Sequence, residues 1–237
     1  MEGALILKKN VFFFLLITLL IYNSILYANW PSFRNNQARQ AVNNSNTITS
    51  TTAYLRWSLK IGNEGFNIAQ PTINDNFIYL PAYDGTISKI NALDGSIVAS
   101  FKCTGLIIGT GLVLNNTYYI GSTDGFAYAI NTSDMSLKWK IKLSSSISSS
   151  PLGASYNYPI DNIIFIDNSG KIYNFDNNGI IQWQETLSIA PDYFFNSPAS
   201  NSDTQFSFTG ENGKMFSPFL YTGYGYKRIS EFHKHER

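Results

Sequence analysis

Histidine occurs only twice in the 237 residues, at His233 and His235, both among the last five. The body of the chain has no imidazole to act as a base or a ligand. Ser-His-Asp and Cys-His catalysis, His-ligated zinc and His-ligated haem all need one held in a site, and all are excluded there. Cysteine occurs once, at Cys103, which excludes an internal disulfide and any Cys-based metal cluster. It lies in the apolar run Phe101 to Leu114 and is expected to be a small buried side chain. Carboxylates, lysine and a bound cofactor remain open to chemistry. The recurrent carboxylates, Asp84 and Asp124, are each followed by glycine. Asp-Gly between β-rich runs is a hairpin signal, because the tight turn needs φ > 0, so these residues read as turn-formers rather than catalysts. No catalytic, cofactor-binding or metal-binding residue is assigned, and the expected protein is not an enzyme.

The elements that carry these residues are strands. Charged residues make up 14% of the chain and aromatics 15%, and no part of the body shows a long 3.6-residue period. Lys and Arg number 17 against 16 Asp and Glu, and beyond the first 28 residues the two signs balance at 15 each. A neutral body gives no electrostatic case for nucleic acid, which needs clustered Lys and Arg to neutralise phosphates.

Residues 1–28 have the layout of a secretory signal peptide: Lys8 and Lys9, the apolar run Val11 to Ile21, and small Ala28 where a protease would cut. The run is shorter than the roughly 20 residues of a membrane span. Periplasmic or secreted location is expected, with no stable membrane span after cleavage. Residues 29–52 read as an extension and linker, ending in the Asn-, Ser- and Thr-rich stretch Gln37 to Thr52. Residues 227–237 read as a charged, unstructured tail that holds both histidines.

Between them, residues 53–226 repeat. Trp57, Ala99, Trp139, Trp183 and Lys227 fall in one column with steps of 42, 40, 44 and 44. Gly95, Met135, Gly179 and Gly223 precede the last four by four residues. Pro71, Gly111, Pro151 and Pro198 form another column, and the turn pairs Asp84-Gly85, Asp124-Gly125, Ser169-Gly170 and Asn212-Gly213 a fourth. Short apolar runs flank each turn pair, such as Thr117 to Ile120 before Asp124-Gly125 and Phe126 to Ile130 after it. Each unit is therefore about four antiparallel strands in roughly 40–45 residues, the size of a propeller blade. Such a blade has two apolar faces and buries them only against its neighbours. Trp57, Trp139 and Trp183 are expected to lie across those joints. Burying one indole removes roughly 150–250 Å² from water, worth up to about 4–6 kcal/mol at about 25 cal/mol per Å².

Ala129-Ile-Asn131 followed by Asp134-Met135 and Trp139 resembles the tryptophan-docking repeat of the quinoprotein (PQQ-like) β-propellers. Ser148 to Leu152 and Tyr119 to Gly125 resemble its strand openings and hairpins, and Trp30-Pro-Ser-Phe-Arg-Asn35 resembles a segment that often opens such proteins. The pattern departs at Lys89 and Ala99, at Met135, at the interval between Asp176 and Gly179 (one residue short), and in the fourth unit. There Ser217-Pro-Phe219 stands for Ala-x-Asp, and Lys227 for Trp. The resemblance implies an all-β propeller of four-stranded antiparallel blades. About four are present, where the family closes rings of about six to eight. An incomplete or half propeller is expected, either a truncated product or a half that pairs with a second chain; an unusually small closed ring is the other way to bury the edges.

For function, the resemblance implies two classes. Quinone-dependent dehydrogenases of this repeat type need an enclosed axial pocket, a bound calcium, a catalytic Asp and often adjacent cysteines. One Cys and no acidic cluster speak against that class, and no cofactor is expected, pyrroloquinoline quinone included. The other class is a non-catalytic scaffold making protein-protein contacts in the cell envelope. Its nearest analogue by resemblance is the periplasmic propeller component of the outer-membrane β-barrel assembly machinery. The expected partner is an envelope protein or a second propeller half. Carbohydrate or cell-surface binding through Tyr221, Tyr224 and Tyr226 is a third reading.

Overall fold

The computed structural model describes residues 31–32, 55–61, 69–154, 162–186, 199–200, 205–209, 215–222 and 225–228. The expected signal peptide, the Gln37 to Thr52 linker, Asn212-Gly213 and both histidines lie outside them.

Sixteen strands form four antiparallel sheets of four, and among the described residues there is no helix. The first blade is β1 (Thr72–Asn74), β2 (Phe77–Pro81), β3 (Thr86–Asn91) and β4 (Ile97–Lys102). The second is β5 (Leu112–Leu114), β6 (Thr117–Gly121), β7 (Phe126–Asn131) and β8 (Leu137–Lys142). The third is β9 (Leu152–Ala154), β10 (Asn162–Ile166), β11 (Lys171–Asp176) and β12 (Ile181–Thr186). The fourth is β13 (Ala199–Ser200), β14 (Gln205–Thr209), β15 (Met215–Thr222) and β16 (Gly225–Arg228). Each is a simple meander, so every connection inside a blade is a hairpin. The β5–β6 turn shows why these residues suffice: Asn115 and Asn116 both take positive φ, at 48° and 57°, which Asn tolerates better than most side chains.

Period-two alternation splits the second blade cleanly. Tyr118, Ile120, Tyr128 and Ile130 enter one core with Tyr79 and Ile87 of the first blade. Tyr119, Ala127 and Ala129 enter another with Ile163, Phe165, Tyr173 and Phe175 of the third. Cys103 is buried in the first of these cores, as its apolar run implied, and burial pushes its thiol up to about 12. The first strands of the first three blades adjoin one another, β5 against both β1 and β9.

The last two strands keep one register through three blades. Lys89 opposes Ala99, Ala129 opposes Trp139, and Asn174 opposes Trp183. A bulge follows at the same place in each, so that Ile90, Ile130 and Phe175 oppose Ile97, Leu137 and Ile181. The fourth blade differs from the repeat arithmetic, which sets Lys227 against Ser217. Thr222 already opposes Gly225, so the hairpin closes early, and Lys227 opposes Leu220. β16 ends at Arg228, two residues into the expected tail.

Candidate functional site

The recurrent residues meet at the joints between blades. Segment 55–61 lies against the first blade, and the indole Nε1 of Trp57 donates to the Ala92 carbonyl at 3.1 Å. Trp139 does the same to Asn177 of the third blade, again at 3.1 Å. Both acceptors follow the last residue of the blade's third strand. Both indoles also cover a glycine: a Cβ on Gly95 would come within 2.7 Å of the Trp57 ring, and one on Gly179 within 3.0 Å of Trp139. These glycines have φ of 76° and 83°, so the turn needs glycine for its backbone as well as for the ring above it. Trp139 also contacts the rings of Tyr119 and Phe175, with centroids 5.8 and 5.7 Å away. Trp183 is half-buried in the same register position on β12.

The joint between the first and second blades has no indole, and three departures from the repeat replace it together. Ala99 leaves the space empty. Met135, in the place of glycine and with φ of 61°, fills it from the other side and is buried in the shared core beside Ala99. Lys89, opposite Ala99, sends its Nζ to the Thr132 carbonyl at 2.7 Å and the Ser133 carbonyl at 3.1 Å. Thr132 holds the position of Ala92 and Asn177, so the ammonium supplies the donor that the indole supplies elsewhere. Lys89 is only 5% exposed and lies over the Phe77 ring, 4.1 Å from its centroid. Burial lowers its pKa, against the opposing pull of Asp134.

The hairpin turns face the same joints from the opposite end of the strands. Asp124 Oδ1 accepts the Phe126 N–H at 2.9 Å. Its Oδ2 accepts the Tyr128 hydroxyl at 2.6 Å and, from the connection leaving the first blade, the Gly105 N–H at 3.2 Å and the Thr104 hydroxyl. Burial alone would raise this carboxyl, but those donors together hold it below its ordinary value. Tyr128 is correspondingly pushed up to about 12, by burial first and by the carboxylate it serves. Asp84 accepts the Thr86 N–H at 2.8 Å, the main cause of its lowered pKa, and pairs with Lys102 at 3.2 Å on the surface. Gly85 and Gly125 take the positive φ of these turns, at 91° and 78°.

In the third blade the turn pair is Ser169-Gly170, with Gly170 at φ 80°, and the carboxylate sits two residues earlier. Asp167 Oδ1 accepts from Ser169 N, Ser169 Oγ and Lys171 N at 3.0, 2.6 and 3.1 Å. Its Oδ2 accepts the Tyr173 hydroxyl at 3.2 Å and, from the connection leaving the preceding blade, the Ser145 N–H at 3.1 Å. Asp167 therefore does for this joint what Asp124 does for the other. The turn-pair column pointed to Ser169 instead; the signal for Asp167 was a carboxylate two residues before a turn that had lost its own. An inner relay completes the joints: Gln70 N–H donates to Thr110 Oγ1, and Thr110 N–H to Ser150 Oγ, both at 2.8 Å.

These carboxylates are engaged by the chain's own donors, and among the described residues no group of three or more His, Cys, Asp and Glu is placed to hold a metal ion. What the first three blades expose at or just before the start of the outer strand is apolar: Ile97 and Val98, Leu137, and Ile180 with Ile181. Among the described residues no helix is long and apolar enough to cross a membrane.

Residues 103–223 match the family model described as outer membrane protein assembly factor BamB. BamB of Salmonella typhimurium is 30% identical over 120 residues, a match covering 45% of this chain and 30% of that relative. The crystal structure of BamB from Moraxella catarrhalis is similar with a TM-score of 0.54 and 20% identity, over 64% of this chain and 45% of that one. A quinohemoprotein alcohol dehydrogenase, ADHIIG from Pseudomonas putida HK5, is similar with a TM-score of 0.64 and 13% identity, over 77% of this chain and 35% of that one. These structural likenesses establish the β-propeller fold. The chain spans less than a third of the curated relative's length.

Proposed function

This chain belongs to the family of the outer membrane protein assembly factor BamB, and from that premise we propose that it is an exported, non-catalytic propeller scaffold, periplasmic or secreted, that makes protein-protein contacts in outer-membrane protein assembly. The observation that carries the reading is the use made of the carboxylates. In a dehydrogenase of this fold a carboxylate must be free to reach a substrate or a metal. Here Asp124 and Asp167 accept hydrogen bonds from the connection leaving the preceding blade through one oxygen and from their own turn through the other. Such residues fasten a platform. Among the described residues the donors do not fit a quinone with its metal: the one cysteine is buried, and the recurrent acids are taken up by turns and joints. The reading therefore includes no resident cofactor.

Rigid blades suit a scaffold because a preorganised surface loses little entropy on binding. Ile97, Val98, Leu137 and Ile181 of the outer strands, with Ile180 just before β12, supply the apolar area that a partner would cover. The test is affinity capture from an envelope extract with the mature chain as bait. Recovery of outer-membrane assembly proteins, reduced by Ile97→Asp with Leu137→Asp, is the expected result. Recovery of none, with the fold of the bait confirmed, would overturn the reading. A dye-reduction assay with added quinone, calcium and an alcohol is expected to remain silent.

A further inference from the structure

We propose that Pro31 and Ser32 form a built-in strap on the free edge of the second blade's first strand, occupying an edge that an extended peptide partner would otherwise pair with. The inference is independent of which envelope partner the scaffold serves.

β5 is the terminal strand of its sheet and lies between β1 and β9, the first strands of the neighbouring blades. One edge of β5 is paired with β6, where Leu112, Val113 and Leu114 oppose Tyr119, Tyr118 and Thr117. The other edge has no strand partner within the sheet. An unpaired strand edge is a template for another extended chain. Here the chain supplies its own occupant: the Val113 N–H donates to the Pro31 carbonyl at 2.7 Å, across 82 residues of sequence. The next residue, Ser32, is only 5% exposed, and Leu112 and Val113 are 6% and 7% exposed. Proline suits the position, because it offers the carbonyl and has no N–H to leave unpaired on the far side.

A peptide adding to β5 must displace Pro31 first, so the strap competes with strand addition. Two measurements on the purified full chain test this. Ser32→Cys is labelled with a thiol reagent and compared with Ser58→Cys on the exposed segment 55–61. Native Cys103 stays silent, being buried with its thiol pushed up to about 12. The thiol at position 32 should react about tenfold or more slowly under native conditions and equally fast in denaturant. Equal native rates would overturn the proposal. Separately, the Val113 amide should exchange slowly in the unsubstituted chain and about tenfold faster in Ser32→Arg, with Tyr118 and Tyr119 unchanged. Excess synthetic peptide of residues 29–36 should slow it again. A Val113 amide that exchanges like an open loop, or that ignores both the substitution and the peptide, would show that nothing straps this edge.

Discussion

The first and second blade joints solve one geometric problem with different atoms. At the second joint, Trp139 on an outer strand covers Gly179 in the facing turn and donates to the Asn177 carbonyl. At the first, the outer strand carries only Ala99, the facing turn carries Met135, and the donor is Lys89 on the strand inside. The register is the same, Ala129 against Trp139 and Lys89 against Ala99, and the acceptor position is the same. What the fold demands is a filled volume and one donor to one carbonyl. It does not demand that a single side chain supply both. An indole combines them rigidly. Methionine fills irregular space, and lysine brings the donor at the cost of burying a charge.

That comparison is broken most severely at the indole. Trp139→Ala removes the ring from between Tyr119, Phe175 and Gly179, and should cost about 3–5 kcal/mol in unfolding free energy measured by urea denaturation. An unchanged midpoint would mean that the ring faces solvent. Gly179→Met imports the first joint's methionine without making room for it. Clash with Trp139 should cost about 1–3 kcal/mol, and the loss should shrink when Trp139→Ala is added. Lys89→Met, at the first joint, leaves the Thr132 and Ser133 carbonyls without their donor while keeping most of the volume. A loss of about 1–3 kcal/mol is expected, and no loss would mean that the ammonium contributes nothing to the joint.

The carboxylate clasps give a pH signature. Asp124 has a folded pKa below its ordinary value. Its stabilisation is therefore complete above the unfolded value of about 3.9 and is lost as pH falls through the folded one. Asp124→Asn should lose about 1–3 kcal/mol at neutral pH and flatten the acid limb of the stability curve below about pH 4. A limb of unchanged steepness would put that acid sensitivity elsewhere. The smallest effect belongs to the surface pair: Lys102→Ala breaks the contact with Asp84 and should change stability by about 0–1 kcal/mol, less in high salt.

Much of this was legible from residue order. Alternating runs around Asp-Gly and the fixed interval between tryptophans are local signals, and they specify blades and the side chains that cross between them. The first joint was legible only as three separate anomalies. Lys89, Ala99 and Met135 lie on two strands and a turn of two different blades, and their compensation exists only in space. Asp167 escaped because a side-chain carboxylate reaches the same point from either of two positions in a tight turn, so a column of residue types does not follow it. The fourth blade misled because its last hairpin closes early, at Thr222 and Gly225, which shifts Lys227 to Leu220. The segment Trp30 to Asn35 was legible as a family-like opening, but the place where Pro31 docks was not, since one carbonyl meeting one N–H across 82 residues has no periodicity to read.

The central claim, that the joints are held by interchangeable sets of residues, is tested most directly by converting one joint into the other. Unfolding free energies would be compared for Ala99→Trp alone and for the triple change Lys89→Ala, Ala99→Trp and Met135→Gly. The single change should lose about 2–3 kcal/mol by overpacking against Met135, and the triple should recover to within about 1 kcal/mol of the unsubstituted chain. A triple variant whose loss equals the sum of its single losses would contradict the account.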